Sequence, residues 1–147
     1  MKLFAIWVCF FIVFMAMFSS CTGPIKLIFF NNTGHVVNLK TEDDKVALQH
    51  GYNVKFNATV ENGQKVEFSF PVSQKISIST ETTNWLYQAI IHPPREYCKP
   101  VGTFDSAAIR IQLEATGEIY LLKSSGEFPL KNFNNQPEGY PLRPVTQ

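Results

Sequence analysis

Charge is scarce in this 147-residue chain and has no dominant sign. Charged residues make up 17%, and the formal net charge is +1. One of the 13 basic residues, Lys2, lies in the N-terminal leader, so the rest of the chain sets 12 basic residues against 12 acidic ones. A neutral body lacks the basic excess that binding to nucleic acid or to anionic lipid headgroups requires. Methionine is confined to the first 17 residues, and the three histidines, His35, His50 and His92, show no ligand spacing. A blue-copper set of Cys, two His and Met therefore cannot be assembled, and no metal is expected. The acidic run Glu42, Asp43 and Asp44 lacks the spaced oxygen ligands and glycine turn of a calcium loop, and it reads as a solvated turn. There is no phosphate-binding glycine loop and no nucleophile elbow. Helical periodicity is also missing, since 43–50 would hold one turn at most. An apolar fraction of 45% is ordinary for a folded chain and argues against disorder throughout.

A long apolar run is present, in one place. After Lys2, residues 3–18 are unbroken apolar, and Ser19, Ser20, Cys21, Thr22, Gly23 and Pro24 follow. A basic start, an apolar stretch and small residues at its end are the signature of an export signal over 1–20. The run is shorter than the ~20 residues that span a bilayer comfortably. Phe18-Ser19-Ser20-Cys21 resembles a bacterial lipobox, with Phe where Leu is usual. The resemblance implies cleavage before Cys21, diacylation of its thiol, and an anchored protein in the cell envelope. Two or three acyl chains hold where one gives only marginal binding. Thr22, which is not Asp, implies by the same resemblance the outer membrane, facing the periplasm. Cysteine arithmetic follows: Cys9 goes with the leader, and a lipidated Cys21 leaves Cys98 alone. An ordinary secreted chain would instead allow a Cys21–Cys98 bridge.

The body alternates. Val54, Phe56, Ala58 and Val60 share one face; so do Val66, Phe68 and Phe70; Ile76 and Ile78; and Ile109, Ile111 and Leu113. Period two with one apolar face predicts half-buried antiparallel strands, near 25–31, 35–40, 52–60, 64–71, 75–80, 85–91, 108–114 and 118–123. The segments 25–30 and 85–91 are apolar on both faces and are expected to be central. Three loops ending in glycine suggest three-residue hairpins. Asn32-Thr33-Gly34 would pair Phe29 with Val37, and Leu27 with Leu39. Glu61-Asn62-Gly63 would pair Ala58 with Val66, and Phe56 with Phe68. Ala115-Thr116-Gly117 would pair Leu113 with Ile119, and Ile111 with Leu121. The expected fold is all-β, with no parallel crossovers: a small antiparallel β-sandwich (immunoglobulin-like or transthyretin-like) or barrel of about eight strands over 21–123. A structureless loop is expected over 92–106. The tail, 124–147, carries Pro129, Pro137, Pro141 and Pro144 and is expected to run extended over the surface.

No residue set points to catalysis. Cys98 with His92 is the one thiol–imidazole pair to weigh, and with no hydrolase signature around it Cys98 reads as a buried or unpaired loop cysteine. Glu114 and Glu118 face each other across a hairpin without a cleft. The aromatic residues of the second half include Trp85, Tyr87, Tyr97 and Tyr120. On one surface they would form a partner-binding patch, because aromatic anchors dominate interface energetics; otherwise Trp85 and Tyr87 belong to the core. The stretch 115–120, Ala-Thr-Gly-Glu-Ile-Tyr, resembles the Ser-Gly-x-x-Tyr loop of membrane-bound lysozyme inhibitors, with Thr in place of Ser. Segments 119–122 and 136–142 resemble the ending of small bacterial envelope proteins, which implies no activity. The expectation is a non-enzymatic, lipid-anchored binding or structural module of the envelope. It would have a protein partner and no cofactor beyond the lipid on Cys21. The alternative is a periplasmic inhibitor or immunity protein directed at a toxin or hydrolase.

Overall fold

The computed structural model describes residues 25–42, 55–70, 75–88, 93–100 and 107–145. The leader 1–20, Cys21, the acidic pair Asp43 and Asp44, His50 and His92 lie outside these residues. Among the described residues nine strands form two packed sheets, an all-β sandwich and not a closed barrel. They are β1 (Ile25–Asn32), β2 (Val37–Thr41), β3 (Asn57–Val60), β4 (Lys65–Phe70), β5 (Ile76–Ser79), β6 (Asn84–Tyr87), β7 (Cys98–Pro100), β8 (Ala107–Glu114) and β9 (Ile119–Leu122). Sheet A runs β4-β1-β8, and β7 and β9 share the far edge of β8. Sheet B runs β3-β2-β5-β6 and is antiparallel throughout.

Alternation locates the core. Leu27 and Phe29 of β1, Ile109, Ile111 and Leu113 of β8, and Ile119 and Leu121 of β9 point inward from sheet A. Val37, Leu39, Ile76, Ile78 and Tyr87 meet them from sheet B. The expected register of β8 with β9 is the observed one, Leu113 opposite Ile119 and Ile111 opposite Leu121.

Two expected hairpins are instead arches that cross between sheets. β1 pairs with β4 and β8, and β2 with β3 and β5, so 32–36 carries the chain from sheet A to sheet B. The loop 61–64 carries it back, with φ of +76° at Gly63, a left-handed conformation that glycine tolerates best. Inward residues on both sides of an arch still face one another, now across the core. Phe56 and Phe68 stack at 4.0 Å between centroids, although they are not ladder partners.

Asn31 explains the choice. It is fully buried on the inward side of β1, and its amide nitrogen donates to the carbonyls of His35 (2.7 Å) and Val60 (2.9 Å). Its side-chain oxygen accepts from the backbone N–H (3.1 Å) and hydroxyl (2.8 Å) of Thr33. Its backbone carbonyl accepts from Gly63 at 2.7 Å. One side chain thus satisfies polar groups from both arches, which burial otherwise leaves unpaired at a cost of about 1–3 kcal/mol each.

Three further expectations need correcting. β1 and β8 run parallel, with Leu27 opposite Ile109 and Phe29 opposite Ile111. Arches make this possible, because they return the chain to a sheet without a hairpin. β6 is an edge strand and not a central one, and its open edge is met by the tail, where Val145 N–H donates to the Leu86 carbonyl at 2.7 Å. The loop expected over 92–106 contains a 3-10 turn, Arg95–Tyr97, and the short strand β7. A strand of three residues ending in proline is too short for alternation to reveal.

The tail is more than a surface strip. Segment 124–135 crosses the outer face of sheet A. Beyond it, Tyr140 and Leu142 enter the core, and Leu142 exchanges two backbone hydrogen bonds with Ile119, both 2.9 Å. Together with the Val145–Leu86 bond, this covers the open edges of β9 and β6, which would otherwise invite strand addition by another chain.

Candidate functional site

The four aromatic residues singled out from the sequence do not share a surface. Tyr87 is 1% exposed in the core, and its hydroxyl donates to the Gly117 carbonyl at 2.6 Å. That burial pushes its ionisation far above the usual phenol range. Tyr97, 2% exposed, closes the 3-10 turn and donates to the Asn135 carbonyl at 3.0 Å. Trp85 packs against the core with its indole over Gly117. Tyr120 alone faces outward, half-buried on β9 beneath Phe133, with ring centroids 4.4 Å apart. Tyr120 and Phe133 are therefore turned outward, while Tyr87 and Tyr97 are turned inward.

The end of sheet A that carries Tyr120 also gathers polar groups. Glu118 accepts hydrogen bonds from the Tyr120 hydroxyl (2.7 Å), Arg143 Nε (3.0 Å) and the Thr116 hydroxyl (3.4 Å). The first two of these hold its carboxyl below the usual carboxylate range, and the bond to Glu118 raises Tyr120 in return. Glu114, on the facing strand, accepts from Asn32 Nδ2 at 3.0 Å and from Gln112. Both carboxylates are engaged in hydrogen bonds to neighbouring side chains. Thr116 and Glu118, in the stretch that resembles the inhibitor loop, are tied to each other and to the tail through Arg143.

A pH dependence follows from Glu118. Its folded-state ionisation is depressed, so its contribution to stability is complete above the ordinary carboxylate range. It is lost as pH falls through the depressed folded value. Glu118→Gln is expected to lower stability at pH 7 and to flatten the acid limb. Urea midpoints for both proteins at pH 7 and pH 3 measure this, and an unchanged gap between the two proteins would refute it.

Cys98 is buried, as one of the two expectations had it, and it is disulfide-bonded, which corrects the other, an unpaired cysteine. The partner lies outside the described residues, and the chain's other cysteines are Cys9 and Cys21. Leu27 and Cys98 both pair with Ile109, so one strand separates Cys98 from β1. Among the described residues no three His, Cys, Asp or Glu side chains come together as a metal site. A shallow, open depression of about 400 Å³ lies at Lys40, Thr41, Glu42, Lys55, Phe56 and Asn57, where Lys40 and Glu42 pair at 3.1 Å.

Sequence reasoning missed Gln112. Outward alternation marks it as solvent-facing, yet it is fully buried beneath the tail. Phe30, on the same face, is 8% exposed for the same reason. The chain matches no protein-family model, no curated protein and no solved structure.

Proposed function

We propose that this chain is a non-enzymatic binding or structural module of a bacterial envelope, exported by its leader and tethered through lipid on Cys21. In this reading it sits at the outer membrane, faces the periplasm and engages another envelope protein. The observation that carries the proposal is Phe18-Ser19-Ser20-Cys21, whose Phe18 ends a run of sixteen apolar residues, 3–18. The fold is compatible with a tether there. β1 starts at Ile25, shortly after Cys21, and its eight residues lead about 25 Å away to the end bearing both arches and the 115–117 turn. A lipid at Cys21 would leave that end, with Tyr120 and Phe133, pointing away from the membrane.

One observation favours a second reading. A Cys21 sulfur joined to Cys98 cannot also carry a thioether, and cleavage before Cys21 removes Cys9 as a partner. The disulfide at Cys98 therefore favours an untethered exported protein, for which an inhibitor or immunity role is the fitting class.

Intact mass and membrane fractionation of wild type, Cys21→Ala and Cys98→Ala separate the two. The tether reading expects a mature chain beginning at Cys21 with added acyl mass, membrane-bound in wild type and in Cys98→Ala, and soluble without acyl mass in Cys21→Ala. A soluble, unacylated wild type lighter by the mass of two hydrogens would sink the tether and support the second reading.

A further inference from the structure

The outer face of sheet A is built to hold a peptide, and it holds one. Segment 124–135 lies across Phe30, Arg110, Gln112 and Tyr120. Phe128 stacks on Phe30 with centroids 4.8 Å apart and planes 14° from parallel. The Arg110 guanidinium covers the Phe128 ring at 4.8 Å and donates to the Gly126 carbonyl. Gln112 behaves like the edge of a strand: its Oε1 accepts from Leu130 N–H at 2.7 Å, and its Nε2 donates toward the Leu130 carbonyl at 3.4 Å. Phe133 caps Tyr120. An aromatic slot beside a side-chain amide that reads a backbone N–H and C=O together is how extended peptides are recognised, with main-chain bonds giving affinity and pockets giving specificity.

Attachment of the segment itself is light. None of residues 124–135 is buried; its hydrogen bonds to the face come from the side chains Arg110 and Gln112 and not from a ladder, and its two ends are held by Ser124 N–H to the Glu96 carbonyl and by the Tyr97 hydroxyl to the Asn135 carbonyl. The tail beyond it is anchored separately, by Tyr140 and Leu142 in the core and by the Ile119–Leu142 pair. The segment can therefore lift as a loop while both its ends stay in place. A buried Gln112 left without a backbone partner is costly, which favours replacement of the strap over its simple loss.

We propose that this face is a binding site for an extended segment of a partner protein, and that 124–135 occupies it as an intramolecular stand-in. The partner segment presents a phenylalanine in the Phe30–Arg110 slot and a free backbone amide and carbonyl two residues later, as Phe128 and Leu130 do. This deepens the binding-module reading and does not depend on the lipid.

The test uses the mature chain with 124–135 replaced by a Gly/Ser linker of equal length, and a labelled synthetic peptide of sequence 124–135. A tethered segment competes at roughly millimolar effective concentration. The peptide should therefore bind the linker variant at least tenfold more tightly than it binds the intact chain. Phe128→Ala in the peptide, or Gln112→Leu in the variant, should weaken binding at least tenfold. No peptide binding by a variant that circular dichroism shows to be folded overturns the proposal and leaves the lipid measurement untouched. Should the variant fail to fold, hydrogen exchange on the intact chain decides. Leu130 N–H is expected to exchange at least tenfold faster than Leu142 N–H, and equal rates would make the strap a fixed part of the fold and end the proposal.

Discussion

Replacing Asn31 with leucine is expected to cost about 3–5 kcal/mol, a large share of the 5–15 kcal/mol typical of a domain. Leucine has the same number of side-chain heavy atoms but is bulkier, so overpacking in a fully buried site adds to the polar loss. The Val60 carbonyl loses the Asn31 donor and the Thr33 N–H its acceptor, while the His35 carbonyl loses one donor and keeps the Thr33 hydroxyl at 3.1 Å. Each group stays buried or partly buried, and an unsatisfied group costs about 1–3 kcal/mol. Asn31→Asp should also destabilise, for a different reason: it keeps the acceptor for Thr33 but turns an unsolvated charge toward two carbonyls. Urea unfolding followed by circular dichroism reads both. A loss below about 1 kcal/mol for the leucine variant would mean that the arches hold without this side chain.

Asn31 also shows how far the sequence could be read. Its place two residues beyond Phe29 and four beyond Leu27 puts it on their side of the strand, a signal that the apolar run over 25–30 passes over because it ends one residue short. Parity predicted which residues face one another. It did not predict whether they do so along a ladder or across the core, because both arrangements put the same side chains inward. The 115–117 turn is a hairpin and the other two glycine-terminated loops are arches. What separates them is the side-chain bonding of Asn31 to Thr33, His35 and Val60, which only the folded state shows.

The outer face of sheet A was illegible for a related reason. Alternation assumes two environments, core and water. Gln112 and Phe30 sit in a third, beneath a strap from a distant part of the chain, and no local pattern reports it. Tyr87 and Tyr97 are binding candidates in the sequence only for being aromatic, and for Tyr87 the core is the other reading. Their rings are consumed by packing, and their hydroxyls reach the carbonyls of Gly117 and Asn135. Tyr120 differs because its strand position turns it outward, opposite Gln112.

Gly117→Val is the second change expected to be severe. Gly117 has φ +79°, which costs a residue with a side chain about 1–2 kcal/mol, and a β-branched one more. There is also no room. A Cβ at this position would lie 2.6 Å from Trp85 Nε1 and 2.8 Å from Cε2, and the indole is packed against the core and cannot swing away freely. The backbone shift that relieves the clash would also pull the Gly117 carbonyl from the Tyr87 hydroxyl. Together these should remove about 3 kcal/mol or more, at the upper end of what single substitutions do. A double-mutant cycle separates the two causes. Gly117→Ala keeps the backbone penalty and the collision while adding only one carbon, and Trp85→Ala removes the collision partner. If the clash matters, the double variant is more stable than the sum of the single losses implies, by at least about 1 kcal/mol. Additive losses would assign the whole effect to the backbone and show that the indole yields.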